Sequence, residues 1–145
     1  MSNDAIHVVC PHCDSVNRIP RLRVSEQPNC GRCHKGLFLG QVIELRDNQF
    51  SQHIDRNDLP VVVDFWAPWC GPCKAMGPAF NEAARSLEPR VRLAKLNTET
   101  QQATASRYGI RSIPTMIVFR QGREVARQAG AMSAVDIVRW VNGQI

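Results

Sequence analysis

The chain has 145 residues, close to one ordinary domain, with 43% apolar and 21% charged residues, which excludes a disordered tail, a collagen-like repeat and a coiled coil. No apolar run approaches the ~18 residues a membrane span needs, so the sequence predicts a soluble protein. Fifteen Arg and three Lys against thirteen acids give a formal charge of +5, spread too thinly along the chain to support nucleic-acid binding.

The first forty residues read as a unit of their own. The start, Met1-Ser2-Asn3-Asp4-Ala5-Ile6, has no basic opening, no long apolar stretch and no small-residue cleavage site, which predicts a protein that is not exported. In a reducing cytosol, paired cysteines serve mainly metal binding or redox catalysis. Large apolar residues are few: Ile6, Val8, Ile19, Leu22, Leu37 and Phe38. A segment of this size with so thin a core needs a metal, a disulfide or a partner to fold. No periodicity is long enough to assign, so a loop-rich module with short strands is expected, ending near Gly40. It carries Cys10-Pro-His-Cys13 and Cys30-Gly-Arg-Cys33, with sixteen residues between the inner cysteines, a spacing in the range of zinc sites. Four thiolates would close a tetrahedral structural site around one zinc ion, leaving no position open for substrate. Metal binding would then replace the missing core as the drive to fold. Free thiols or two small disulfides are the alternatives. Zinc on four thiolates is a dianion, which offsets the two net positive charges of this segment. With four cysteines filling the shell, His12 and His34 are expected on the surface.

From Gln41 the pattern becomes that of an α/β domain. Val42–Leu45 reads as a short strand and Asn48–Asp55 as a helix, with Phe50 and Ile54 one turn apart. Pro60–Trp66 is an almost unbroken apolar run, the mark of a strand covered on both faces. A helix follows from about Cys73 to Leu87, with Pro78 inside it, and Val91–Asn97 forms the next strand. Thr100–Tyr108 is a second amphipathic helix closed by Gly109. Thr115–Arg120 and Glu124–Ala129 are strands joined by a Gln121-Gly122 turn. The last helix, Ala134–Val141, offers Val135, Val138 and Trp140 for packing.

Trp69-Cys70-Gly71-Pro72-Cys73 lies between the buried strand and the long helix. Pro72 suits a first helical turn, and Cys70 then sits where free N–H groups and the helix dipole favour a thiolate. Cys73 is within disulfide reach. Cys70 can therefore attack a substrate disulfide, and Cys73 can attack the resulting mixed disulfide. Neither Gly71 nor Pro72 adds a positive charge, which favours a reductant over a strong oxidant. A structural disulfide or half of a zinc site is the alternative reading, and the strand–turn–helix context weighs against it. Asp64, an acid inside an apolar strand, is expected to hold its proton more tightly than usual.

The segment from Val61 through Asp64, Trp66, Trp69, Cys70, Cys73 and Lys74, with Pro78, Lys95, Tyr108-Gly-Ile-Arg-Ser-Ile-Pro114-Thr115, Gly122 and Gly130, resembles the thioredoxin family over residues 41–145. Residues 1–40 resemble the zinc-bearing extension of bacterial thioredoxin 2. The resemblance implies a thioredoxin fold, a central mixed sheet flanked by helices, preceded by a small zinc-ribbon-like module. It implies that Asp64 assists deprotonation of Cys73, with Lys95 as its cationic neighbour. The Ile113–Pro114 bond would be cis, and Ile113, Pro114 and Gly130 would join Trp69, Gly71 and Pro72 in docking an extended substrate peptide. It further implies a cytoplasmic protein-disulfide reductase, recharged by NADPH through a thioredoxin reductase and acting on disulfide-containing client proteins. Zinc would be its only cofactor, with no bound organic one, and neither nucleic acid nor membrane would be a partner. Two readings from other classes stand beside it: a binding module exposed when oxidation ejects zinc, and a zinc ribbon for nucleic acid, which the near-neutral metallated module disfavours.

Overall fold

The computed structural model describes residues 4–145; the first three residues of the stretch read for export lie outside the described residues. The amino-terminal module is an antiparallel hairpin of β1 (Ala5–Val9) and β2 (Val16–Pro20), followed by a 3-10 helix over Arg21–Glu26. Its core is small: Ile6, Val8, Ile19 and Leu37 pack around Cys10 and Cys30. Leu22, expected among the core residues, is instead 88% exposed on the 3-10 helix. Its place is taken by Leu59, which reaches in from the second module.

The remainder builds one five-stranded sheet in the order β3-β5-β4-β6-β7. The strands are β3 (Ile43–Leu45), β4 (Val61–Trp66), β5 (Arg92–Asn97), β6 (Thr115–Arg120) and β7 (Arg123–Ala129). The helices are α1 (Phe50–Asp55), α2 (Gly71–Leu87), α3 (Gln102–Arg107) and α4 (Ala134–Asn142). β4 pairs parallel with β5 and antiparallel with β6, so it lies inside the sheet and is apolar on both faces. Alternation sends Val61, Val63 and Phe65 toward the core that contains Phe50 and Ile54 of α1. Val62 faces the opposite core, with Met76, Phe80 and Leu87 of α2 and Ile137 and Val141 of α4. Asp64 and Trp66 share the parity of Val62, which aims them at the α2 side. The β6–β7 turn holds Gln121 at φ 51° and Gly122 at φ 78°, the left-handed pair a two-residue hairpin requires. In α4, Val135 is exposed; Ile137 and Val141 are the fully buried residues, with Val138 and Trp140 partly covered. No helix among the described residues is long and apolar enough to cross a membrane.

The two modules share an interface built mostly from polar groups. Asn57 accepts the Val9 N–H at 2.8 Å and donates to His53 O at 2.8 Å, while Asp58 accepts the His7 N–H at 2.7 Å. His53 Nε2 hydrogen-bonds Asp14 Oδ1 at 2.8 Å. Arg92, 1% exposed, pairs with Glu88 at 2.6 Å, lies over the Phe38 ring, and reaches the Val9 carbonyl at 3.4 Å. The second oxygen of Glu88 accepts the Gly40 N–H at 2.7 Å, which anchors the junction itself.

Candidate active site and metal centre

The α2 helix begins two residues earlier than the sequence suggests, because Pro72 needs no N–H partner in the first turn. Cys70 is its N-cap, and the Cys70 sulfur accepts the Cys73 N–H at 3.2 Å. That bond and the helix dipole favour negative charge on this sulfur once the pair is reduced. In the structure the pair is oxidised: Cys70 and Cys73 form a disulfide, buried against Ala67, Trp66 and Ile113. Gly71 and Pro72 are exposed at the helix start, and Trp69 is 68% exposed beside them.

The Ile113–Pro114 bond is cis, and the Ile113 carbonyl lies 3.9 Å from Cys70 Sγ. Pro114 is buried and its carbonyl accepts the Gly130 N–H at 2.9 Å. Gly130 has φ 99°, which an L side chain rarely adopts, and Ala129 and Ala131 are exposed on either side. Trp69, Cys70, Ile113, Pro114 and Gly130 thus gather at one end of the sheet. They form an apolar rim with backbone groups at its edge.

Behind the disulfide lies a cavity of about 90 Å³, lined by Asp64, Trp66, Cys73 and Lys95 with part of α2. Asp64 is 4% exposed and its Oδ1 has no hydrogen-bond partner. Burial pushes its carboxyl up to about 7, against the pull of the Lys95 charge. Lys95 is the register partner of Asp64 on β5, yet it makes no contact ion pair among the described residues; its ammonium sits 5.1 Å from the Trp66 ring centre. Trp66 Nε1 is likewise buried without a partner. The cavity is roomy and polar enough for water to join these groups to Cys73. The sequence reading missed Trp66 as a wall of this cavity, although its parity with Asp64 on the strand was available as a signal.

The four remaining cysteines converge, their Sγ atoms all within 4.8 Å of one another. Cys10–Cys33 and Cys13–Cys30 are each 3.6 Å apart. Zn–S bonds of ~2.3 Å in a tetrahedron give edges of roughly 3.8 Å, so the set fits zinc. Each pair is closed by the same turn: Asp14 N bonds Cys10 O, and His34 N bonds Cys30 O. Asp14 and His34 both have left-handed φ, 65° and 68°. Burial pushes the Cys30 thiol up, but N–H groups of Cys33 and Arg32 and the Asn17 amide outweigh it and hold the thiol at about 6, suited to a thiolate ligand. Burial raises Cys10 to about 12 without metal. His12 and His34 are both exposed.

A cysteine pair at a helix start, opposed by a cis-proline loop and backed by a buried acid, defines a class of dithiol–disulfide exchange domains. The comparisons agree. The thioredoxin family model matches residues 41–143, and the model described as thioredoxin 2, N-terminal, a zinc ribbon, matches residues 9–35. Thioredoxin C-3 of Corynebacterium nephridii is 40% identical over 138 residues, covering 95% of this chain and 94% of that protein. A Haemophilus influenzae thioredoxin is 36% identical over 107 residues, 74% of this chain and all of its own length. A Porphyra purpurea thioredoxin is 44% identical over 104 residues, 72% of this chain and 97% of its own. The chain belongs to the thioredoxin family and is a disulfide oxidoreductase that works by dithiol–disulfide exchange.

Proposed function

We propose that this protein is a cytosolic protein-disulfide reductase whose Cys70–Cys73 dithiol reduces client proteins and is recharged by a thioredoxin reductase with NADPH. The observation that carries it is the pair at the start of α2 with Asp64 buried behind it in a shared cavity. The Cys70 thiolate attacks one sulfur of a client disulfide, breaking that S–S bond and forming a mixed disulfide; the departing client thiolate takes a proton. Asp64 accepts the proton of Cys73, directly or through cavity water, and the Cys73 thiolate then attacks Cys70 Sγ. This releases the second client thiol and leaves the Cys70–Cys73 disulfide, so the client gains two electrons and the dithiol loses two. Lys95 stabilises the Asp64 carboxylate from the neighbouring strand. Trp69, Gly71, Pro72, Ile113, Pro114 and Gly130 form the rim on which an extended client segment docks, its backbone meeting the free groups around Pro114. The reducing direction is supported by the uncharged Gly71-Pro72 between the cysteines. A cytosolic location is supported by the cysteine pattern, three C-x-x-C pairs of the kind a reducing compartment uses for metal and redox sites.

Cys10, Cys13, Cys30 and Cys33 would hold one structural zinc per chain, with no organic cofactor. Such an ion supplies folding energy to a module with a small core. The division into residues 1–40 and 41–145 is supported by the family extents, 9–35 and 41–143. A chain beginning at Gln41 tests it, and the expected product folds and reduces disulfides. A folded but inactive product would mean that the first module takes part in catalysis. The function is tested by NADPH-dependent reduction of a disulfide protein in the presence of a thioredoxin reductase, with zinc measured per chain. No NADPH consumption by the intact protein would overturn the reading.

A further inference from the structure

A cleft of about 540 Å³ lies far from the disulfide. It opens between the modules at the pole of the sheet where Pro60 leads into β4 and β6 ends, at Arg120. The redox pair lies at the other pole, beyond the far end of β4, one six-residue strand of ~20 Å away. Its floor is apolar, formed by Ile6 of the first module and by Leu59, Pro60 and Pro89 of the second. Three arginines contribute to its lining from three separate elements: Arg21 on the 3-10 helix, Arg90 before β5, and Arg120.

The charges do not cancel within the cleft. Three arginines face one lining carboxylate, Asp58, whose Oδ2 holds the His7 N–H at 2.7 Å and the His7 ring at 3.1 Å. Arg21 uses its Nε on Asp4, outside the lining, and Arg90 uses one nitrogen on Asn142. Arg120, at the end of β6, is exposed in the cleft lining. Guanidinium groups carry only donors, so the remaining N–H groups can be satisfied by acceptors alone, and best by a planar or tetrahedral oxyanion. A cavity of this volume falls in the ~300–1,000 Å³ range of small-molecule sites, and junctions between modules are where such sites concentrate.

We propose that this inter-module cleft binds a small organic polyanion, a phosphorylated molecule with an apolar body of nucleotide size. The phosphates lie against Arg21, Arg90 and Arg120 and the body lies on the Leu59–Pro60–Pro89 floor. Because Arg21 belongs to one module and Arg90 and Arg120 to the other, the ligand braces the junction and stabilises the folded chain. The site is independent of the redox reaction.

Calorimetric titration of the zinc-loaded full chain with ADP, adenosine and inorganic pyrophosphate tests this. ADP should bind at one site, with adenosine and pyrophosphate each about tenfold weaker or more, because each lacks half of the recognition. Arg120→Ala and Arg90→Ala should each weaken ADP about tenfold, as loss of a charged hydrogen bond predicts, while Arg139→Ala on α4 leaves it unchanged. Disulfide reduction by Arg120→Ala stays at the parent level. Arg120 is exposed and outside both cores, so this variant keeps the test valid should Arg90→Ala misfold. ADP binding weaker than about 1 mM would overturn the proposal. So would pyrophosphate binding as tightly as ADP with no effect of Arg120→Ala, the signature of an adventitious ion only.

Discussion

The same four-residue motif occurs three times in this chain and is built for two kinds of chemistry. In the amino-terminal module, Cys30 Sγ accepts N–H groups of Arg32 and Cys33 at 3.3 and 3.4 Å; in the second module, Cys70 Sγ accepts the Cys73 N–H at 3.2 Å. Locally the sulfurs are served alike. The residue after the second cysteine makes the difference. Asp14 and His34 turn left-handed and fold the chain back, so that Cys10 N meets Ser15 O and Cys30 N meets Lys35 O. Two such hairpin turns can face each other and enclose a cation. After Cys73 the chain continues as α2, which buries the second sulfur against the core beside Asp64. The pair then meets no second pair and closes on itself as a disulfide.

Substitutions in one region should leave the other intact, and the largest effect tests this first. Cys70→Ser removes the nucleophile, so disulfide turnover falls to the uncatalysed background while zinc per chain is unchanged. Zinc loss in that variant would break the separation. Cys10→Ser should do the reverse, losing the metal and unfolding the first module. Apparent zinc binding energies of about 10–16 kcal/mol in small modules set the scale, read as zinc content and amide exchange.

The interface between the regions gives the next effect. Arg92→Ala strands the Glu88 carboxylate in a buried site and should cost about 3–5 kcal/mol in denaturant unfolding. Arg92 bonds the Val9 carbonyl and its partner Glu88 accepts the Gly40 N–H, both groups of the first module, so amide protection of β1 should fall with it. Unchanged protection there would show that the bonds of Asn57, Asp58 and His53 and the apolar contacts of Leu59 hold the modules without Arg92.

Asp64→Asn sharpens the comparison on the redox side. Burial holds the folded carboxyl at about 7, above its ordinary value near 4. Below pH 4 both folded and unfolded chains are protonated and no penalty exists. As pH rises from 4 to 7 the unfolded chain ionises first and stability falls; above 7 the penalty is complete, on the order of 4 kcal/mol. The amide removes this fall, so the variant should be more stable at pH 8 and equal to the parent at pH 3. Exchange should slow, because Cys73 loses its proton acceptor, and the dependence of turnover on pH near 7 should flatten. A parent-like pH profile would reduce Asp64 to a packing residue.

The smallest expected effect is a labelling preference. In the reduced protein, mild alkylation should favour Cys70, whose N-cap sulfur accepts the Cys73 N–H and is favoured as a thiolate, over Cys73 inside the helix; peptide mapping reads the difference. Preferential labelling of Cys73 would reverse the two roles.

Much of this was legible in the sequence because the signals are local. The apolar run of β4, the Gln121-Gly122 turn, Pro72 in a first helical turn and the spacing of four cysteines each follow from short-range chemistry. Helix ends moved by a residue or two, since caps depend on geometry that a pattern does not carry. Val135 and Leu22 looked like packing residues and are exposed, because a short helix or turn shows several apolar side chains and only tertiary packing selects which face is covered. The sequence by itself determined the elements, the metal-type spacing and the redox pair. Only the tertiary structure decided what the long-range groups do: that Val42 and Phe80 close the Asp64 cavity, that the buried Arg92–Glu88 pair meets Val9 and Gly40 of the first module, and that arginines from three distant segments line one cleft. Those arrangements join residues far apart in the chain, and no local propensity or period encodes which of them will meet.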